Sequence, residues 1–508
     1  MTIHLSIALW LPLAAAVLGA LLPRRASGPV ALLGSVLAFA YSIAMIADYN
    51  QGVGGLQYVT DETWIGELGI HYKLGIDGLN LFLIALAGLV FSAAALWALR
   101  ERYDRPKLFF FQLALAHSAV QGALMAQDLA LFVVFFDLML VPFFFLTIAW
   151  GGPNRVPAMI KLFIYTLVGS LLMLAAAIAT AVLAQQHAGG HLTFVLSDLS
   201  QTRLSTGSQN WIFLFFAAAF LVKMPAFPVH GWMPDGYRAM PLPVLAAFSG
   251  VLSKVAAYGF LRIVLPLFPD ASVHFQTLLL LVALASILYG SAMAFTTTDI
   301  RLVLGYSSIA QLGFITLGIF SLQSQGAQGA ILQAVNHGMV VAPAFFIAAL
   351  LAARAGGSED LRDMGGIAFR APVLATLFLI VAFANLAMPG SSNFVGEFLI
   401  LLGVFKEKIV IAIVAFTGVG MASVYMLRAF IRAMHNRTGH VVASHEMSVG
   451  DGAVLVPLVA VILFFALYPQ LALHKGERAV TASIRPAALI AHAPPVSPAA
   501  TPTPIRVP

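Results

Sequence analysis

Cysteine is absent from the 508 residues. That excludes disulfides, thiolate metal sites, iron–sulfur ligation and cysteine nucleophiles together. Charge is scarce as well. Asp, Glu, Lys and Arg make up 9% of the chain, against about 25% in a soluble domain. No Walker or Rossmann glycine pattern occurs, and the histidines lack the spacing of a zinc or haem site. No loop gathers a nucleophile and a base. The net charge of +6 is not a nucleic-acid signal, because the basic residues stand singly or in pairs and build no basic helix face.

What remains is apolar. Hydrophobic residues account for 60% of the chain, so the composition calls for lipid as solvent. Apolar runs long enough to cross ~30 Å of hydrocarbon follow one another with short polar gaps, and roughly fourteen spans are expected. The fold class expected is therefore an all-α polytopic membrane protein. The first run, His4 to Leu22, has Arg24 and Arg25 after it and no basic residue before it. A secretory signal has the opposite polarity, so a retained span is expected. From about Pro486 the chain is rich in Pro and Ala and reads as a disordered tail over 486–508.

Loop charge sets the orientation. Arg100, Arg105, Arg155, Arg238, Arg301, Arg362 and Arg437 fall after odd-numbered spans, and Lys73, Arg203, Arg262 and Lys406 on the other side. The basic excess on the first side places it in the cytoplasm and both termini outside.

The chain also repeats itself. Ala219 to Pro225 resembles Ala382 to Pro389, and Phe248-Ser249-Gly250-Val251 resembles Phe416-Thr417-Gly418-Val419. The separation predicts two inverted five-helix repeats, each containing a broken helix. The segments expected are a three-span segment over 1–107, a first repeat over 108–266, a second over 275–435 and a last span over 449–472. The breaks fall at Pro225 with Pro228, and at Pro389 with Gly390. Each proline removes a backbone donor and frees a carbonyl. At membrane depth such groups persist only where protein or water satisfies them, which points to hydrated cavities.

Among the titratable residues inside these spans, five stand out: Asp137, Lys223, Lys254, His337 and Glu397. A charge at a span centre costs ~2.5–3.5 kcal/mol to insert, so four cost ~10 kcal/mol or more. Burial disfavours the charged form of acid and base alike, and a neighbouring carboxylate restores it for a lysine. A buried lysine beside a movable carboxylate is thus a proton switch. The bland readings differ by site. Lys161, near a cytoplasmic end, reads as a snorkelling or ion-paired lysine as well. A histidine such as His337 can simply hydrogen-bond across helices. His117 stands alone and reads as a core histidine. His230 and Asp235, in PVHGWMPDGY, read either as caps or as a proton entrance.

Over almost its whole length the chain resembles the M-type antiporter-like subunits of proton-pumping NADH:quinone oxidoreductase, respiratory complex I. The resemblance rests on YKLGIDGLNLFL at 72–83, FFDLMLVPFFFLTIAWGG at 135–152, LVKMPAFPVHGWMPD at 221–235, SKVAAYGFLRI at 253–263, TDIRLVLGYSSI at 298–309, QAVNHG at 333–338 and MPGSSNFVGEFLILLGVF at 388–405. It implies that Asp137, Lys223, Lys254, His337 and Glu397 carry protons. They would enter from the cytoplasm near Lys223 and leave by Glu397, with 108–266 as the input half and 275–435 as the output half. It implies no cofactor in this chain, with quinone, FMN and iron–sulfur clusters in partner subunits. The partners implied are L- and N-type neighbours in a bacterial inner membrane; nucleic acid is not among them. Asp137 stands where the family usually has Glu, Arg301 where it usually has Lys, and Gln311 where a histidine is common. The alternative the resemblance leaves open is an Mrp-type or hydrogenase-associated cation/proton antiporter subunit.

Overall fold

A computed structural model describes residues 3–101, 103–439 and 441–492. The chain opens with α1 (Leu5–Leu21) and α2 (Arg24–Asp48), then a hairpin of β1 (Gln57–Ile65) and β2 (Ile70–Ile76). There follow α3 (Leu81–Arg100), α4 (Pro106–Met125), α5 (Leu129–Leu138), α6 (Leu140–Trp150), α7 (Arg155–Ala188) and α8 (Thr206–Lys223). The second half holds α9 (Leu242–Leu267), α10 (Gln276–Thr296), α11 (Ile300–Phe320), α12 (Ser324–Arg354), α13 (Pro372–Asn385), α14 (Ser392–Glu407), α15 (Ile409–Met434), α16 (Val449–Leu467) and α17 (Gln470–Ala491).

Among the described residues, eleven helices are long and apolar enough to cross a bilayer, with α5 and α6 taken as one run. α1 and α13 are apolar but shorter. The chain is a multi-pass membrane protein. Its centre is α9, α11 and α12, which are buried throughout their apolar windows. Helices apolar on all sides are stable only inside such a bundle or in lipid. By contrast α2, α7, α10, α15 and α16 are buried over less than half of theirs, so they form the outer wall.

Four features differ from the sequence expectation. The molecule is not wholly helical. β-branched and aromatic residues such as Val59, Thr60, Thr63 and Trp64 favour a strand, and Gly69 supplies the left-handed turn (φ +62°) that folds the hairpin back. The tail expected from Pro486 begins instead as helix, since α17 runs through Pro486 to Ala491; residues 493–508 lie outside the described region. One missing donor is tolerated there because Ala472, Gly476, Val480, Ile484 and Ala487 bury a continuous face. The last span also ends earlier than expected, at Leu467 rather than 472. Finally, Arg262 is not a loop charge. It lies within α9 and pairs with Asp77 at 2.5 Å.

α17 lies on the hairpin face. Lys475 donates to the Tyr49 carbonyl at 2.8 Å and Arg478 to that of Gly52 at 2.6 Å. α1 starts on this face too, with the His4 amide on the Tyr41 hydroxyl at 2.9 Å. The opposite face is laced by ion pairs: Lys161 with Asp235 (2.7 Å), Arg238 with Asp299 (3.2 Å), and Arg301 with Glu359.

Candidate proton-carrying site

The first break forms because Pro225 lacks the N–H that would continue α8. The chain closes instead with a longer bond, from the Ala226 amide to the Leu221 carbonyl at 3.0 Å. The Val222 carbonyl accepts from the Trp232 indole at 3.0 Å. Lys223 is the last residue of α8, where the helix dipole favours a cation. Its ammonium donates to the Phe136 carbonyl at 3.3 Å and lies 4.4 Å from the Phe136 ring centre.

The second break repeats this device. The Met388 amide bonds the Phe383 carbonyl at 3.0 Å, and the Asn385 carbonyl accepts from Gln311 at 3.3 Å. Ala387 sits in the left-handed region (φ +54°), which costs an L-residue roughly 1–2 kcal/mol. Glu397 lies beyond the break, in the second turn of α14. Its carboxylate accepts from Gln333 at 3.3 Å, and Gln333 donates to Gln311 at 2.6 Å.

Between the breaks stand Lys254 and His337. Lys254 lies in α9 between two π-helical stretches, Phe248–Leu252 and Phe260–Val264. π-turns loosen the backbone bonding and recur at functional sites. The Lys254 ammonium donates to the Ser249 carbonyl at 2.6 Å. His337 is within electrostatic reach of Lys254. Gln333 lies four residues before His337 on α12, hence on the same face one turn away. A polar line thus runs from His337 through Gln333 to Glu397.

The four residues Lys223, Lys254, His337 and Glu397 are 5%, 0%, 1% and 3% exposed. They lie in the interior and not on the lipid wall. Around them, buried polar atoms have no protein partner: both ring nitrogens of His337, Ser249 Oγ, Gln333 Oε1, Asn336 Oδ1, and both side-chain polar atoms of Asn393. Buried polar groups without protein partners are satisfied by ordered water. Water there would bridge the steps that side chains leave open, such as the one from Lys223 to Lys254, which no side-chain hydrogen bond spans.

Asp137 is placed differently. It is half-buried, and its Oδ1 accepts from Ser170 rather than from Lys223. No ion pair joins it to Lys223, although its field reaches that lysine. Asp137 adjoins a third interruption, the turn at Met139 between α5 and α6, where Pro142 leaves the Leu138 carbonyl unclaimed within the helix.

Lys161 and Asp235 do come together, at the edge of a cleft of about 580 Å³ on the face opposite the hairpin. His230 packs against the Tyr289 ring, with 4.6 Å between centroids. His117 stacks on Phe91 at 4.8 Å, with Ser35 3.3 Å from its Nδ1.

The family model described as NADH:quinone oxidoreductase/Mrp antiporter matches residues 126–423, which hold Asp137, Lys223, Lys254, His337 and Glu397. The chain belongs to that family. It is 34% identical to the NADH-quinone oxidoreductase subunit M of Rhodobacter capsulatus, over 92% of this chain and 93% of that protein. It is 36% identical to the subunit M of Escherichia coli, over 88% and 90%. Among solved structures, a chain of respiratory complex I from Thermus thermophilus superposes with a TM-score of 0.88 at 30% identity, over 95% of this chain and 100% of that one. A chain of the Mrp complex from a Dietzia species shares the fold, with a TM-score of 0.83 at 21% identity over 96% and 99%.

Several polar residues of this family member escape a search for charges. Gln333 and Gln311 connect Glu397 to the second break. Ser307 donates to Asn385 at 2.8 Å and lies 2.9 Å from the Tyr425 hydroxyl. Ser170 holds Asp137. A signal existed for the glutamines, since a buried amide is costly without a partner. Two in adjacent apolar helices are therefore expected to meet.

Proposed function

We propose that the chain is the proton-translocating M-type membrane subunit of an NADH:quinone oxidoreductase. In this reading 108–266 is the input half and 275–435 the output half of two inverted five-helix repeats within fourteen spans, after a three-span segment over 1–107. Protons enter from the cytoplasm near Lys223, pass Lys254 and His337, and leave by Glu397. Asp137 governs how firmly Lys223 keeps its proton. The observation that carries the reading is the buried row of acid and base groups at and between two helix breaks, bordered by buried polar atoms that have no protein partner among the described residues. The redox chemistry and its cofactors belong to partner subunits, which shift charge along the row. The membrane is the bacterial inner membrane, with the N-terminus on the periplasmic side and L- and N-type subunits as neighbours.

The test is Lys223→Ala in the intact complex, in membrane vesicles. Assembly is expected to persist, proton pumping to vanish and coupled quinone reduction to fall. Normal pumping by this variant refutes the proposal. Sodium-dependent exchange by vesicles lacking any redox partner would favour the antiporter alternative instead.

A further inference from the structure

Asp137 and Lys223 each have a partner, and neither partner is the other. The Asp137 carboxylate takes a hydrogen bond from the Ser170 hydroxyl on α7. The Lys223 ammonium rests on the carbonyl and ring of Phe136. Both contacts sit at the loosened junction of α5 and α6. There the helix is interrupted at Met139, and Pro142, having no N–H, leaves the Leu138 carbonyl without its helical donor.

An aspartate side chain has two rotatable bonds and short reach. With its Oδ1 held by Ser170, the carboxylate lies out of contact with Lys223, whose ammonium rests on Phe136 instead. Ser170 thus anchors the carboxylate in a place from which it does not touch the ammonium. Building on the proton-pumping reading above, we propose that Ser170 is a positioning residue that holds the Asp137–Lys223 pair open.

In the open arrangement Lys223 lacks a contacting anion and releases its proton more readily, becoming a neutral amine as the proton passes to the next site. In the closed arrangement Asp137 leaves Ser170 for Lys223 and the ammonium is retained. The serine hydroxyl keeps its own proton throughout. Its part is to offer the carboxylate a second resting place whose hydrogen bond is strong, since the acceptor is charged. Ser170 is suited to this. It lies mid-way along α7, in an otherwise apolar stretch, Leu167 to Ala179, so nothing else on that helix competes for the carboxylate.

The experiment uses the assembled complex in membrane vesicles, with protons pumped per NADH oxidised as readout. Ser170→Ala is expected to lower pumping on the order of tenfold, the factor carried by one hydrogen bond to a charged group. Ser170→Thr, which keeps the hydroxyl, is expected to restore most of it. Should the alanine variant fail to assemble, Ser170→Cys keeps the size with a weaker donor and is expected to pump at an intermediate level. The decisive comparison adds Asp137→Glu. The longer glutamate reaches Lys223 without depending on where Ser170 holds it, so Ser170→Ala is expected to cost less than about twofold in that background. Strong non-additivity is the mark of two groups acting on one another. An equal loss in both backgrounds shows a merely structural serine and overturns the inference, as does full pumping by Ser170→Ala. If Lys223→Ala abolishes pumping while Ser170→Ala leaves it intact, this inference alone fails. If Lys223→Ala pumps normally, the reading beneath it fails.

Discussion

The two helix breaks share a backbone solution and differ in what they hold. Each closes with an amide reaching five residues back, Ala226 to Leu221 and Met388 to Phe383, and each lends a carbonyl to a side chain from elsewhere, Trp232 or Gln311. The first break puts a base, Lys223, on the final residue of its half-helix, where the dipole supports a positive charge. The second has a neutral Asn385 in the corresponding place and carries its acid, Glu397, in the following half-helix. Dipole effects fade beyond the first turn, so Glu397 depends on Gln333 instead. A shared backbone with different chemistry is what the proposed inverted repeats would leave if one half takes up a proton and the other discharges it.

That contrast can be broken most forcefully at the acid. Glu397→Gln keeps the size and hydrogen-bonding shape but cannot release a proton. Pumping by the intact complex is expected to fall on the order of a hundredfold, the scale on which a lost acid–base group is felt. Retained pumping would show that the output half does not use this carboxyl. A smaller effect should come from Gln333→Ala, which removes the amide on which Glu397 rests. A lost bond to a charged group is worth ~1.5–3 kcal/mol. Pumping roughly tenfold lower, with Lys223-side variants unaffected by the change, would sharpen the division between the halves.

The smallest effect belongs outside both breaks, at the hairpin-face pair of Arg203 and Asp270. Arg203 donates to both carboxylate oxygens at 2.5 and 3.0 Å, and Gln209 adds a bond at 2.7 Å. The Arg203 contact, with help from Gln209, holds Asp270 below the usual carboxylate range. A depressed carboxyl stabilises the fold above its unfolded value of ~4, and that contribution is lost as pH falls through the depressed value. Because Arg203 is largely exposed, the pair is worth under about 1 kcal/mol. Asp270→Asn should therefore lower the thermal midpoint slightly at pH 7, with the difference vanishing in acid and pumping unchanged.

Much of this was legible in the sequence, and the physics says why. A charge in an apolar run is expensive enough to stand out, so Lys223, Lys254, His337 and Glu397 could be found one at a time. Proline punctuation located both breaks, because a missing donor acts locally. What depends on two distant segments meeting stayed hidden. Buried glutamines were bound to seek partners, but nothing along the chain announces that Gln333 would meet Glu397, or that Arg262 turns inward to Asp77. α17 was missed for another reason. Proline and alanine suggest disorder only while no surface is available to bury the small residues, and α12 offers one: the Ser324 and Thr481 hydroxyls lie 3.2 Å apart where the two helices meet.

The ring beneath Lys223 has a mechanical meaning. An aromatic face attracts an ammonium but offers a neutral amine almost nothing. The 4.4 Å contact with Phe136 is thus a latch that only the charged side chain closes. If Lys223 passes its proton on as proposed, that attraction is lost with the charge, and the side chain is no longer held against the ring.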